Sequence, residues 1–123
     1  MTKNHHQLKV WQLGMELAET CYRLSAKLPL QDRFGLAAQI RRAAISIPSN
    51  IAEGAARNSS AEFARFLSIA RGSLSELETQ LLLAERLELL QSDEAVHRQI
   101  RGLRQMISSL RRKILERHAH HLI

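Results

Sequence analysis

The chain has 123 residues, 45% of them apolar and 24% charged, with a net charge of +6. That is enough for one domain with a modest core and too little for two. The lone Cys21 excludes an intrachain disulfide and fits a reducing cytoplasm; no apolar run approaches the ~18 residues of a membrane span, and the amphipathic start after Met1 is not a signal peptide.

Leu, Ala, Arg, Glu, Gln and Ile dominate, and valine occurs only at Val10 and Val96, so helices are expected throughout. The first is predicted over about residues 7–28. Leu8, Trp11, Met15, Ala18, Tyr22 and Ser25 form one stripe at alternating spacings of three and four, and Val10, Leu13, Leu17, Cys21, Leu24 and Leu28 form a second. Together they make an apolar arc wider than a monomeric bundle buries, which predicts a face for another subunit. Pro29 ends the segment, because the residue before a proline is driven out of the helical region.

The second helix is predicted over about 32–56, with Asp32 as its N-cap. Leu36, Ile40, Ala43 or Ala44, Ile47 and Ile51 hold one register across Pro48. A proline inside a helix costs about 3 kcal/mol and a backbone donor, so the continued register predicts a kinked helix rather than a break. After the turn at Asn58-Ser59-Ser60 comes the third helix, about 60–90, opened by the capping box Ser59-Ser60-Ala61-Glu62. Phe63, Leu67, Ala70, Leu74, Leu77, Leu81 and Ala84 give it a heptad-like stripe, and Gly72-Ser73 lies in its middle, where a glycine costs about 1 kcal/mol relative to alanine and is tolerable if another backbone must approach closely. The fourth helix, about 93–117, carries Val96, Ile100, Leu103, Ile107, Leu110 and Ile114, and the tail from His118 to Ile123 is expected to fray. Short connections make neighbours antiparallel. The fold expected is all-α: one up-down-up-down four-helix bundle over residues 1–123, with a Pro-kinked second helix.

The charge is unevenly placed. Residues 1–94 balance 11 basic against 11 acidic residues, whereas residues 95–123 set Arg98, Arg101, Arg104, Arg111, Arg112, Lys113 and Arg117 against Glu116 alone. Such asymmetry marks either an anion-binding face or a solvated face that keeps the protein soluble.

The run from Gly35 to Gly54, which contains Ile40-Arg41-Arg42-Ala43-Ala44, Ser46-Ile47-Pro48 and Asn50-Ile51-Ala52-Glu53, resembles the signature of the bacterial four helix bundle protein family. These proteins are encoded within intervening sequences of 23S ribosomal RNA genes. The likeness reaches back to Val10-Trp11 and Pro29 and forward through Arg57, Phe63, Phe66-Leu67, Ala70 and Gly72-Ser73 to Glu76-Leu77-Glu78-Thr79-Gln80-Leu81. Asp32 stands where the family usually has Glu. The resemblance implies a homo-oligomer, a pentamer, and kinship with the accessory protein of diversity-generating retroelements, a basic pentamer that binds nucleic acid and a reverse transcriptase.

The signature's polar residues Arg41, Arg42, Ser46, Asn50, Glu53 and Arg57, with Glu76 and Glu78 of the third helix, are read as a structural network or subunit contact. A buried arginine needs a fixed acidic partner, so Arg41 or Arg42 is expected to meet Glu53, Glu76 or Glu78; the alternative makes the arginines phosphate ligands. Arg98, Arg101, Arg104, Arg111, Arg112 and Lys113 are the candidate nucleic-acid contacts. No aromatic interleaves with them, so backbone-driven, weakly sequence-specific binding is expected. His118, His120 and His121, even with His5 and His6, lack the ligand spacing of a metal site. No serine has a nucleophile's partners. No catalytic residue, cofactor, metal or membrane is expected. The function expected is a non-enzymatic, cytoplasmic, homo-oligomeric module that binds nucleic acid (RNA or RNA/DNA) through a basic helix face; the alternative is a structural or adaptor scaffold that binds other proteins.

Overall fold

The computed structural model describes residues 4–121, with side chains through Ala119. Its helices are α1 (Lys9–Ser25), α2 (Leu36–Ala55), α3 (Ser60–Arg86) and α4 (Glu94–His121). α1 packs on α2, α2 on α3 and α3 on α4, and α4 closes back on α1. This is the four-helix bundle expected from short connections between amphipathic helices. No helix among the described residues is long and apolar enough to cross a membrane.

The core is the set of predicted stripes. Leu17 and Cys21, Ile40, Ile47 and Ile51, Leu67, Leu74 and Leu77, and Ile100 and Ile107 are buried, each apolar side chain contributing roughly 1.5–3 kcal/mol by leaving water. The two stripes of α1 part company. Val10, Leu17, Cys21 and Leu28 enter the core with Leu8 and Ser25. Trp11, Met15, Ala18 and Tyr22 instead line an open groove of about 440 Å³ against Ile45, Pro48 and Ala52 of α2.

Helix boundaries differ from expectation at four places. α1 stops at Ser25 rather than 28, because its last turns tighten to i→i−3 bonds from Lys27 to Leu24 and from Leu28 to Ser25. Asp32 does not cap α2. It closes a 3₁₀ turn, Leu30–Asp32, and Gly35 is the N-cap without a side-chain bond. α3 ends at Arg86 rather than 90: Leu89 N–H bonds the Ala84 carbonyl at 2.9 Å, Glu88 N–H bonds the Glu85 carbonyl at 3.0 Å, and Glu88 takes φ 61°. That is a left-handed helix terminator, normally a glycine's position. α4 continues to His121, four residues past its predicted end, so His118 is helical rather than frayed. The remainder of the tail, Leu122 and Ile123, lies outside the described residues.

Other expectations hold in the backbone. α2 runs unbroken through the buried Pro48. Ser59 Oγ accepts the Glu62 N–H at 3.0 Å, half of the predicted box, while the Glu62 carboxylate turns to Arg65. Asp93 Oδ1 caps α4 by accepting the Ala95 N–H at 3.1 Å. A close approach that excludes a side chain is absent at Gly72, where a Cβ meets nothing within 4 Å among the described residues. It occurs at Gly54, where a Cβ would lie 2.6 Å from Phe66 Cβ and 3.1 Å from Phe63 Cδ1.

Candidate nucleic-acid interface

The basic face of α4 is positioned by a ladder on α3. Ala64, Arg71, Glu78 and Glu85 recur every seven residues on α3, and each meets α4. Glu85 Oε2 lies 2.6 Å from the Nε2 of the buried His97. Arg104 donates to Glu78 at 3.0 Å, Arg71 donates to Ser108 Oγ at 3.2 Å, and Arg111 Nε donates to the Ala64 carbonyl at 3.1 Å. These rungs fix the register of α4 against its neighbour. They also hold Arg104 and Arg111 half-buried on the α3 side.

The six candidate cations therefore do not form one surface. At ~100° per residue, Arg98, Arg101 and Arg112 share the outer face of α4, and all three are exposed. Arg101 donates to Glu94 at 2.8 Å on that same face. Arg98 and Arg112 make no ion pair among the described residues. Arg98 and Arg112 are about 21 Å apart along the helix at ~1.5 Å per residue. Lys113 is turned toward α1, where it borders a shallow depression with Lys9, Met106 and Leu110.

Two pairs show how local charge is settled. The Arg101 guanidinium holds the Glu94 carboxyl below its ordinary 4.5, and Arg65 does the same to Glu62. A depressed carboxyl stays ionised above the ordinary range, so both pairs persist at neutral pH and are lost as pH falls through the lowered value.

The signature residues form a network, but not the expected one. Asn50 Nδ2 donates to the Ser46 carbonyl at 2.8 Å and to Ser46 Oγ at 2.9 Å. Ser46 and Ser73 hydroxyls meet at 2.8 Å across α2 and α3, and Ser73 Oγ donates to the Ile69 carbonyl at 3.3 Å. With the Ser73 proton committed to Ile69, the Ser46 hydroxyl donates to Ser73, and the chain of donors runs from α2 to α3. Arg57 donates to Glu53 at 3.1 Å. Its guanidinium lies 5.0 Å from the centre of the Phe66 ring, with Arg65 at 4.7 Å.

Neither Arg41 nor Arg42 pairs with Glu53, Glu76 or Glu78 among the described residues, contrary to the expected ion pair. Geometry explains it: Arg41 projects from the α1 side of α2, donating to Ser25 Oγ at 3.4 Å and to the Arg33 carbonyl at 3.0 Å, whereas Glu53 is taken by Arg57 and Glu78 faces α4. Arg42 and Glu76 are exposed.

Of the histidines, His5 meets Trp11 edge-on with ring centroids 5.2 Å apart, and the tilted ring of His6 lies 4.9 Å from the indole. The side chains of His120 and His121 lie outside those described. No group of three His, Cys, Asp or Glu among the described residues is placed to hold a metal. The cation that sequence reasoning missed, Arg71, flanks α4 from α3. The seven-residue spacing of Ala64, Arg71, Glu78 and Glu85 is the signal that could have located Arg71.

A family model described as 23S rRNA-intervening sequence protein matches residues 6–109. No curated protein matches the chain.

Proposed function

The chain belongs to the 23S rRNA-intervening sequence protein family, and from that premise we propose that it is a non-enzymatic, cytosolic, homo-oligomeric module that binds RNA or an RNA/DNA duplex through the outer face of α4. The observation that carries the reading is the charge of that face. Arg98, Arg101 and Arg112 are exposed together, and α4 has one acidic residue, Glu116, after its first turn. With no Phe, Tyr or Trp on α4, recognition is of phosphates rather than of unstacked bases. Arg104 and Arg111 serve the bundle first and add field rather than direct phosphate bonds. Assembly, as a pentamer by family resemblance, multiplies the number of phosphates one particle meets.

A second reading, an adaptor scaffold, draws support from the apolar groove on α1 and α2 and from the pairing of Arg101 and Arg104. A mobility-shift titration with duplex RNA and DNA at two salt concentrations separates the two. Salt-sensitive binding is the result expected of the first reading, and no shift at low salt favours the second.

A further inference from the structure

Arg41 is half-buried, and its guanidinium is held in place by neutral acceptors only, Ser25 Oγ at 3.4 Å and the Arg33 carbonyl at 3.0 Å. No carboxylate lies within ion-pair reach of it among the described residues. The face of Tyr22, 5.9 Å away, offers weak compensation. A partly desolvated cation without a counter-charge is unfavourable, and its five N–H donors exceed the two acceptors it has.

The charge faces a recess of about 290 Å³ at the α1–α2 turn, lined also by Arg33, Tyr22, Pro29 and Leu30. Arg33 is exposed, with its guanidinium 4.6 Å from the centre of the Phe34 ring. Among the described residues no acidic side chain lines the recess, and Asp32, nearest in sequence, does not border it. Two guanidinium groups bordering one cavity match the double charge of a phosphate monoester better than the single charge of a carboxylate, and the planar fork suits phosphate oxygens. Beside them, the half-exposed ring of Tyr22 with Pro29 and Leu30 makes a flat apolar wall of the kind on which a base stacks.

We propose that this recess binds a nucleoside monophosphate group, either a free nucleotide or the phosphorylated end of a strand, with the phosphate between Arg41 and Arg33 and the base against Tyr22. The site is built on α1 and α2, away from the outer face of α4, so it stands or falls separately from the proposed function.

Calorimetric titration of the full chain with AMP, adenosine, inorganic phosphate, and 5′-phosphorylated and 5′-hydroxyl dinucleotides tests it. AMP is expected to bind saturably, one per chain, and adenosine not to. Arg33→Ala, which removes an exposed side chain and leaves the fold intact, weakens AMP about tenfold, as does Arg41→Ala. Tyr22→Leu weakens AMP severalfold while leaving inorganic phosphate unchanged. A phosphorylated dinucleotide tighter than AMP identifies a strand end, and equal or weaker binding identifies a free nucleotide. The proposal is overturned if AMP fails to saturate at millimolar concentration, if inorganic phosphate binds as tightly as AMP, or if AMP binding is lost in Arg98→Ala/Arg112→Ala but kept in Arg33→Ala. It is equally overturned if Arg41→Ala dissociates an assembly to which AMP does not bind, since the counter-charge is then a carboxylate of a second copy.

Discussion

Gly54 marks a tight point of the α2–α3 crossing, because the space for a methyl group is already held by Phe66 Cβ and the Phe63 ring. Phe66 cannot withdraw easily, packed as it is beneath two guanidinium groups. Gly54→Ala should therefore lower stability by about 2 kcal/mol through overpacking, despite alanine's better helix propensity; a chemical denaturation midpoint unchanged from wild type contradicts this. Cys21 illustrates the opposite case, a reactive group made inert. Burial, reinforced by the charge of Asp93, pushes its thiol up to about 12, so thiolate is scarce at neutral pH. Alkylation of the folded protein at about pH 8 is expected to be negligible and to become rapid on unfolding. Prompt labelling of the native chain would disprove that placement.

At the scale of elements, periodicity made the helices legible and local turn chemistry did not make their ends so. The stripes of α3 and α4 could be read because Leu67, Leu74 and Leu81, or Ile100 and Ile107, repeat at the spacing that one buried face requires. The ends depended on bonds that residue type does not announce. Asp32 has the chemistry of a cap, yet the turn begun at Pro29 uses its backbone, and Gly35 takes the cap position. Glu88 adopts the left-handed conformation that terminates α3, where glycine is the residue that would have signalled it. Glu88→Gly is accordingly predicted to stabilise the protein by about 1 kcal/mol, by relieving the steric cost of φ above zero. Thermal unfolding at or below the wild-type midpoint would be inconsistent with that strain.

For the whole molecule, the double stripe on α1 leaves an apolar groove outside the core, because Trp11, Met15 and Tyr22 repeat out of phase with Leu17 and Cys21. The α4 cluster was legible as charge but not as surface: which arginines point outward depends on where α3 lies, and that is set by the bonds from Arg104 to Glu78 and from Arg111 to Ala64. Arg41 meets Ser25 and the Arg33 carbonyl instead of a carboxylate for a similar reason, since sequence does not say which flank of α2 faces α1. If the α1–α2 groove joins copies of the chain, a charge placed there must separate them. Met15→Glu/Ile45→Glu alters two exposed side chains and should reduce the mass by light scattering to that of the monomer with helicity retained. A wild-type mass in the variant places the subunit interface elsewhere.

Phosphate recognition by the outer face of α4 is tested most directly by the salt dependence of affinity for an RNA duplex of about 20 base pairs. The wild-type chain is compared with Arg98→Ala/Arg101→Ala/Arg112→Ala. Wild-type affinity is predicted to fall steeply and linearly in log–log form. The variant is predicted to remain folded, to bind more weakly, and to show a slope shallower by about one for each phosphate it no longer neutralises. An affinity indifferent to salt, or a slope the three substitutions leave unchanged, would contradict it.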